Sequence, residues 1–374
     1  MEKIIALLVM LLMCVPSVSS YTVKVQVRYG VNDDLPDYFS WRDINGTDYT
    51  TSVKDQSPAP SCEAYALVAA LETMMQYKVG EIYNPDLSET HLYFYAGGTY
   101  RAGYVNLVDA ANYLVEYGVP DEGCFPDPHR PYDFPFESLP GWENRTVKIR
   151  EWGWVEHDQT AIKKALIEHG PLVICVIFWR DFYYYHGGVY RHKWGRVAGG
   201  HVMALMGYDD NNQCWIIKNS WGTNWGEKGW LRISYDDLWI AEWYGKGTGV
   251  MYLDGVYGNL RPDVPKIDIV EPKIFHNYIY GHEFPVIFRK MPFIQKAAPR
   301  IIGPQPIKVK AENTNRVEFY LDDELKYVDE DEPNEWVLKA NPGLHTIKIL
   351  AYNEKGALSE DLMDVYGVSC GTFS

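Results

Sequence analysis

Between Ser61 and Gly80, apolar side chains fall at Ala64, Leu67, Val68, Leu71 and Met75. That three-and-four spacing gathers them on one face of an amphipathic helix, and Gly80 supplies the stop. The same period predicts a helix over Leu107 to Tyr117, closed by Gly118 with Pro120 beyond it. A third helix is predicted over Asp158 to His169, with Asp158 as N-cap and Gly170-Pro171 as terminator. The pattern then changes to short apolar runs punctuated by glycine or Asp-Asn turns. Leu172 to Phe178, Gly188 to Arg191, His201 to Tyr208, Cys214 to Lys218 and Trp230 to Tyr235 read as strands. Helices first and strands second, within about 200 residues, predict an α+β domain with two segregated lobes.

A composition shift follows Gly258, and beyond it no helical period survives. Arg261-Pro-Asp-Val-Pro265 reads as a linker, and the runs beyond it recur about every ten residues: Ile267 to Val270, Pro285 to Phe288, Ile307 to Ala311, Val317 to Leu321, Glu335 to Leu338, His345 to Tyr352 and Met363 to Tyr366. That spacing is typical of a β-sandwich. The expected division is 1–20 as an export signal, 21–258 as the first domain, 259–266 as linker and 267–374 as an all-β module.

Composition supports a folded chain. Of 374 residues, 47% are hydrophobic and 23% charged, and the length suits about two domains. A net charge of −15 argues against a nucleic-acid partner. Lys3, the apolar run Ile4 to Val15, Pro16 and the small residues Val18-Ser19-Ser20 make an N-terminal export signal. The run is shorter than the ~18 residues of a membrane span. The expectation is a secreted or extracellular protein, with the cell surface as the other destination, and no membrane span in the mature chain.

Of six cysteines, Cys14 lies in the signal. Cys175 and Cys214 sit in apolar runs and read as buried thiols. The pairing of Cys124 and Cys370 stays open. Zinc-type spacings are absent, so neither metal nor cofactor is expected.

The candidate chemistry rests on Cys62, at the start of the first helix, with Gln56 six residues upstream and His201 and Asn219 far downstream. A thiolate is the useful nucleophile, and a helix N-terminus with a neighbouring imidazolium favours it. His201 would serve as base, and Asn219 would orient it. Gln56 and the Cys62 N–H would donate to an oxyanion, and Trp221 would cover the His–Asn bond from water. The separation from Cys62 to His201 is 139 residues, within the ~130–150 expected for a papain-type site.

The chain resembles the papain-like (C1 family) cysteine peptidases over about residues 35–257. The resemblance is carried by Leu35-Pro36, Trp41-Arg42-Asp43, Val53-Lys54-Asp55-Gln56, Ser61-Cys62, Leu87-Ser88-Glu89, Gly200-His201 and the run Lys218-Asn-Ser-Trp-Gly-Thr-Asn-Trp-Gly-Glu-Lys-Gly229. It implies a two-lobed fold, with a helical lobe and a β-barrel-like lobe, and hydrolysis of peptide bonds through a thioester acyl-enzyme. Gln56, Cys62, His201, Asn219 and Trp221 match the family's functional positions. The C-terminal stretch resembles the immunoglobulin-like modules appended to exported proteins, a candidate for contact with cell-surface or extracellular components.

Four departures stand out. Glu63 follows the nucleophile where the family usually has tryptophan; pointing inward it would oppose the thiolate, and pointing outward it would favour the helix dipole. Ala59 replaces a disulfide cysteine. The substrate-binding glycine pair has only Gly97-Gly98 and Gly103 as candidates, with Gly200 and, by resemblance, Cys175 near the substrate pocket. Tyr21 to Asp34 is short for an inhibitory pro-segment. The leading expectation is therefore an exported cysteine endopeptidase acting on protein or peptide substrates. The alternatives are a peptide-binding protein that has lost turnover, and a cell-surface transpeptidase or isopeptidase.

Overall fold

The computed structural model describes residues 35–57, 59–99, 104–126, 138–284, 298–331 and 334–368. The export signal, the short segment Tyr21 to Asp34, Gly103, the expected strand Pro285 to Phe288 and Cys370 lie outside the described residues. No helix among the described residues is long and apolar enough to cross a membrane.

Three helices lie where the periodicity puts them: α1 (Cys62–Val79), α3 (Leu107–Glu116) and α4 (Gln159–Glu168). Their ends follow capping chemistry. Gly80 adopts a left-handed φ of 74° after α1, where a side chain would be strained. The Asn106 side chain accepts from the Val108 and Asp109 N–H groups, and Asp158 accepts from Ala161 N–H. A further helix, α2 (Glu89–Tyr95), is N-capped by Ser88; at two turns it is too short to show a period. The expected amphipathic α1 is instead buried around most of its circumference, Glu63, Glu72, Thr73 and Gln76 included. It is the central helix of the molecule, so polar groups replace the wet face.

One sheet forms the β lobe. Its strands are β1 (Tyr38–Ser40), β3 (Glu151–Trp154), β4 (Leu172–Trp179), β5 (Val189–Tyr190), β6 (Val197–Asp209), β7 (Cys214–Lys218), β8 (Trp230–Ser234) and β9 (Val250–Asp254). The order is β3-β9-β4-β6-β7-β8-β5, with β1 on the far stretch of β6. The order has two ends, so the described strands make an open sheet where a barrel-like lobe was expected. A small pair, β2 (Val147–Lys148) with β10 (Tyr257–Gly258), lies apart. Two buried clusters divide along the lobes, one built on α1, α2 and α3 and the other on α4 and the β4-β6-β7-β8 face.

The described residues between 266 and 367 form two further sheets. Strands β11 (Lys266–Glu271), β15 (Gln305–Glu312) and β18 (Glu335–Leu338) make an antiparallel three-stranded sheet. The other has seven strands in the order β13-β12-β14-β20-β19-β16-β17, namely β12 (Asn277–Ile279), β13 (His282–Phe284), β14 (Arg300–Ile302), β16 (Arg316–Leu321), β17 (Glu324–Asp329), β19 (Gly343–Tyr352) and β20 (Leu358–Gly367). One buried cluster draws Ile269, Ile307 and Leu338 from the first sheet and Val317, Phe319, Ile347 and Val365 from the second. The β-rich reading holds, and β12, β13, β14 and β17 are additions the alternation did not reveal.

This region is docked on the helical lobe. Arg145 bridges Asp121 (Nε–Oδ2 2.7 Å), the Leu358 carbonyl and the Ser359 hydroxyl (3.2 Å). Lys266 donates to the carbonyls of Tyr83 (3.1 Å) and Asn84 (2.6 Å).

Candidate active site

Cys62 is the first residue of α1, and helix geometry leaves its N–H without an intrahelical acceptor. The thiol lies against β6, its sulfur accepting the Val202 N–H. Val202 is the neighbour of His201, so a helix terminus from one lobe meets the histidine-bearing strand of the other. The sequence-predicted Cys62 and His201 are therefore brought to one seam.

His201 is buried, and its Nε2 lies 2.8 Å from Asn219 Oδ1. The same Oδ1 accepts the Ser220 N–H at 2.9 Å. That donor fixes the amide orientation, since a flipped amide would set two N–H groups against each other. Nε2 must then carry the imidazole proton and donate it to Asn219, which leaves the Nδ1 lone pair as the base. Trp221 stacks on His201 (centroids 4.8 Å apart, 27° between planes), and Tyr183 stacks on Trp221 (5.5 Å, 14°). Trp221 therefore lies against the His201 ring.

Gln56 is held from β7's end of the seam. Its N–H donates to the Ser220 carbonyl at 2.9 Å, and its Oε1 accepts the Ser220 hydroxyl at 2.6 Å. Its Nε2 donates to the Ala59 carbonyl at 3.1 Å, and an amide nitrogen has a second hydrogen to give.

The electrostatics differ from a ready thiolate. Burial pushes the Cys62 thiol well above its ordinary value, the Glu63 carboxylate pushes the same way, and the Val202 N–H pulls against both. Burial lowers the His201 imidazole to about 4 despite the Asn219 bond. Each group alone is held neutral. Moving the thiol proton to His201 would make two charges that compensate each other, which neither residue can do singly.

Glu63 points inward. It is buried, accepts the Val105 N–H, and one of its carboxylate oxygens takes the Cys62 S–H at 3.5 Å.

The substrate-side candidates divide. Gly97 N–H and Gly98 N–H donate to the Phe94 and Tyr93 carbonyls at 3.0 and 2.8 Å, so both amides are committed to the end of α2. Cys175 is fully buried on β4, opposite Val202, and burial raises its thiol. Gly200 lies under Trp243: a Cβ there would come within 2.3 Å of the indole. Cys124, Cys175 and Cys214 are buried free thiols.

Sequence reasoning missed an ionic network behind the site. Glu72, on α1, accepts from Lys54 (3.1 Å), the Leu87 N–H (3.0 Å) and the Thr51 hydroxyl (2.5 Å). Lys218, next to Asn219, donates to Thr51 at 2.9 Å, and burial brings its ammonium down to about 8. A carboxylate at a position flanked by Leu71 and Met75 in the apolar stretch of α1 is the signal that could have found it. No group of His, Cys, Asp and Glu suited to holding a metal ion occurs among the described residues.

Residues 35–242 match the family model described as papain family cysteine protease. Over 79 residues the chain is 52% identical to "Cathepsin B-like CP3" of Giardia intestinalis, covering 20% of this chain and 26% of that protein. Over 213 residues it is 30% identical to "Zingipain-2" of Zingiber officinale, covering 54% of this chain and 88% of that one. The structure of the bromelain protease from Ananas comosus aligns with a TM-score of 0.49 at 26% identity, covering 59% of this chain and 99% of that chain. The matched stretches span about a quarter of the Giardia relatives' length.

Proposed function

The chain belongs to the papain family of cysteine proteases, and from that premise we propose that it hydrolyses peptide bonds within protein or peptide substrates through an acyl-enzyme on Cys62. The observation that carries the reading is the seam itself: the thiol at the start of α1 abuts β6, whose His201 is locked by Asn219 with Nδ1 left as base.

In this mechanism His201 takes the Cys62 proton as sulfur attacks the scissile carbonyl carbon. The Cys62 N–H and the second Nε2 hydrogen of Gln56 donate to the oxyanion. The C–N bond breaks, His201 returns the proton to the leaving amine, and a thioester remains. Water, deprotonated by His201, then attacks the thioester, and the sulfur leaves with the proton. Asn219 keeps the imidazole aligned in both halves, and Trp221 excludes water from the His–Asn bond.

A thiol-directed peptidyl inhibitor should label Cys62 ahead of Cys124, Cys175 and Cys214, in step with loss of peptide hydrolysis. Equal labelling of all four with no hydrolysis would overturn the reading. A second reading is favoured by one observation, the inward Glu63: a peptide-binding protein without turnover, which would bind peptides equally before and after Cys62→Ala.

The proposal extends to the other parts of the chain. An export signal over 1–20 and a linker over 259–266 are consistent with an exported peptidase domain followed by a separate module. Two sheets sharing one apolar cluster support an immunoglobulin-like sandwich for residues 267–374, with cell-surface or extracellular components as its proposed partners. Edman sequencing of secreted protein beginning at Tyr21 would support export; retention of the chain in the cell with Met1 intact would argue against it.

A further inference from the structure

Glu63 is a buried carboxyl that nothing in the mechanism above uses. Its carboxylate oxygen lies 3.5 Å from the Cys62 sulfur, at the atom that must become negative. The groups facing it come from five places. They are the Cys62 thiol on α1, the Tyr93 phenol on α2, the Val105 N–H before α3, the Cys175 thiol on β4 and the Tyr244 phenol before β9. None is a cation. The phenols are themselves raised by burial, so they stay neutral.

Resting on the peptidase reading, we infer that Glu63 is a further catalytic residue: in its protonated form it donates its O–H to the Cys62 thiolate, and its ionisation switches the nucleophile off. The argument is one of charge. A carboxylate and a thiolate at this distance and out of water repel strongly, and no described residue sets a cation between them. A carboxylic acid in the same place is a donor aimed at the sulfur, and an O–H bonded to an ionised acceptor is among the stronger hydrogen bonds. The proton inventory closes. The thiol proton goes to His201 and on to the leaving amine, while the Glu63 proton stays on Glu63 and is only shared with sulfur. The Val202 N–H, which already donates to the sulfur, then acts together with the carboxyl.

The carboxyl is lifted by burial from 4.5 to about 7, so the expected consequence is activity on the acid side that fades through neutrality. At pH 8.5 about one Glu63 in thirty would remain protonated, and kcat/KM would fall about thirtyfold from its acid plateau. The test compares wild type with Glu63→Gln, which is neutral at every pH and keeps an N–H to offer the sulfur. kcat/KM for a small peptidyl substrate is measured from pH 4 to pH 9, and the rate of Cys62 alkylation by iodoacetamide is followed alongside because it needs no substrate pocket. The expected result is a falling limb near pH 7 in wild type that is lost in Glu63→Gln, with the variant at least tenfold faster at pH 8.5. A wild-type infrared titration of the buried carboxyl, before and after alkylation of Cys62, should show its midpoint move and requires no variant. Superimposable pH profiles in two active proteins, or a carboxyl indifferent to alkylation, would overturn the Glu63 inference and leave the peptidase reading intact. Absence of both hydrolysis and selective alkylation in wild type would overturn both.

Discussion

Replacing Arg145 by alanine tests how firmly the C-terminal sheets are clamped to the helical lobe. The guanidinium joins Asp121 on one side to the Leu358 carbonyl and Ser359 hydroxyl on the other, with side-chain exposures of only 15% for Arg145 and 10% for Asp121. Among the described residues Arg145 alone pairs with Asp121, so the variant leaves a mostly buried carboxylate uncompensated and strips the Leu358 carbonyl of its charged donor. Breaking one side of a buried pair costs about 3–5 kcal/mol. The residual exposure puts this case near the lower end, about 3 kcal/mol. Urea unfolding, followed by far-ultraviolet circular dichroism with m held in common, should give that loss for Arg145→Ala. The double variant with Asp121→Ala should recover at least ~1 kcal/mol of it, because the stranded charge is gone. Turnover of a small peptide should stay near wild type, since neither residue touches the Cys62–His201 seam. A loss under about 1 kcal/mol, the range of exposed pairs, would refute the clamp.

Further outcomes follow from the same geometry. Asn219→Ala removes the acceptor that fixes the His201 tautomer; a lost hydrogen bond to a buried group costs about 1–3 kcal/mol, so kcat/KM should fall roughly ten- to hundredfold with the fold intact by circular dichroism, and an unchanged rate would rule out the positioning role. Glu72→Ala leaves Lys54 paired with Asp86 and Glu89 but strips the Leu87 N–H and the Thr51 hydroxyl of their acceptor, and should cost about 1–3 kcal/mol by urea unfolding. Glu63 also predicts a stability–pH trend. Its folded pKa is raised, so its contribution is fully present below about 4.5 and is lost as pH rises through about 7. The move corresponds to about 3 kcal/mol, so the Tm of Glu63→Gln should gain on wild type between pH 5 and pH 8; a constant difference would show that the carboxyl is not buried. Gly200→Val should drive a side chain into Trp243 and displace the indole, seen as a changed tryptophan emission spectrum; an unaltered spectrum would contradict that packing.

Local sequence determined much of this protein by itself. Helix spacing and caps are short-range matters, so α1, α3 and α4 and the strands β4, β7 and β18 were legible within a residue or two. The order of Cys62, His201 and Asn219 could be read too, because each residue type carries its chemistry wherever it sits. What the tertiary structure decided was everything that depends on which groups leave water together. It turned Glu63 inward, among the Cys62 and Cys175 thiols, the Tyr93 and Tyr244 phenols and the Val105 N–H, none of them a cation. It buried Glu72 and Lys218 as partners, although they lie 146 positions apart in the chain. It set Arg145 between Asp121 and Leu358. A side chain's charge state depends on desolvation and on neighbours supplied by distant segments, and no local pattern encodes either.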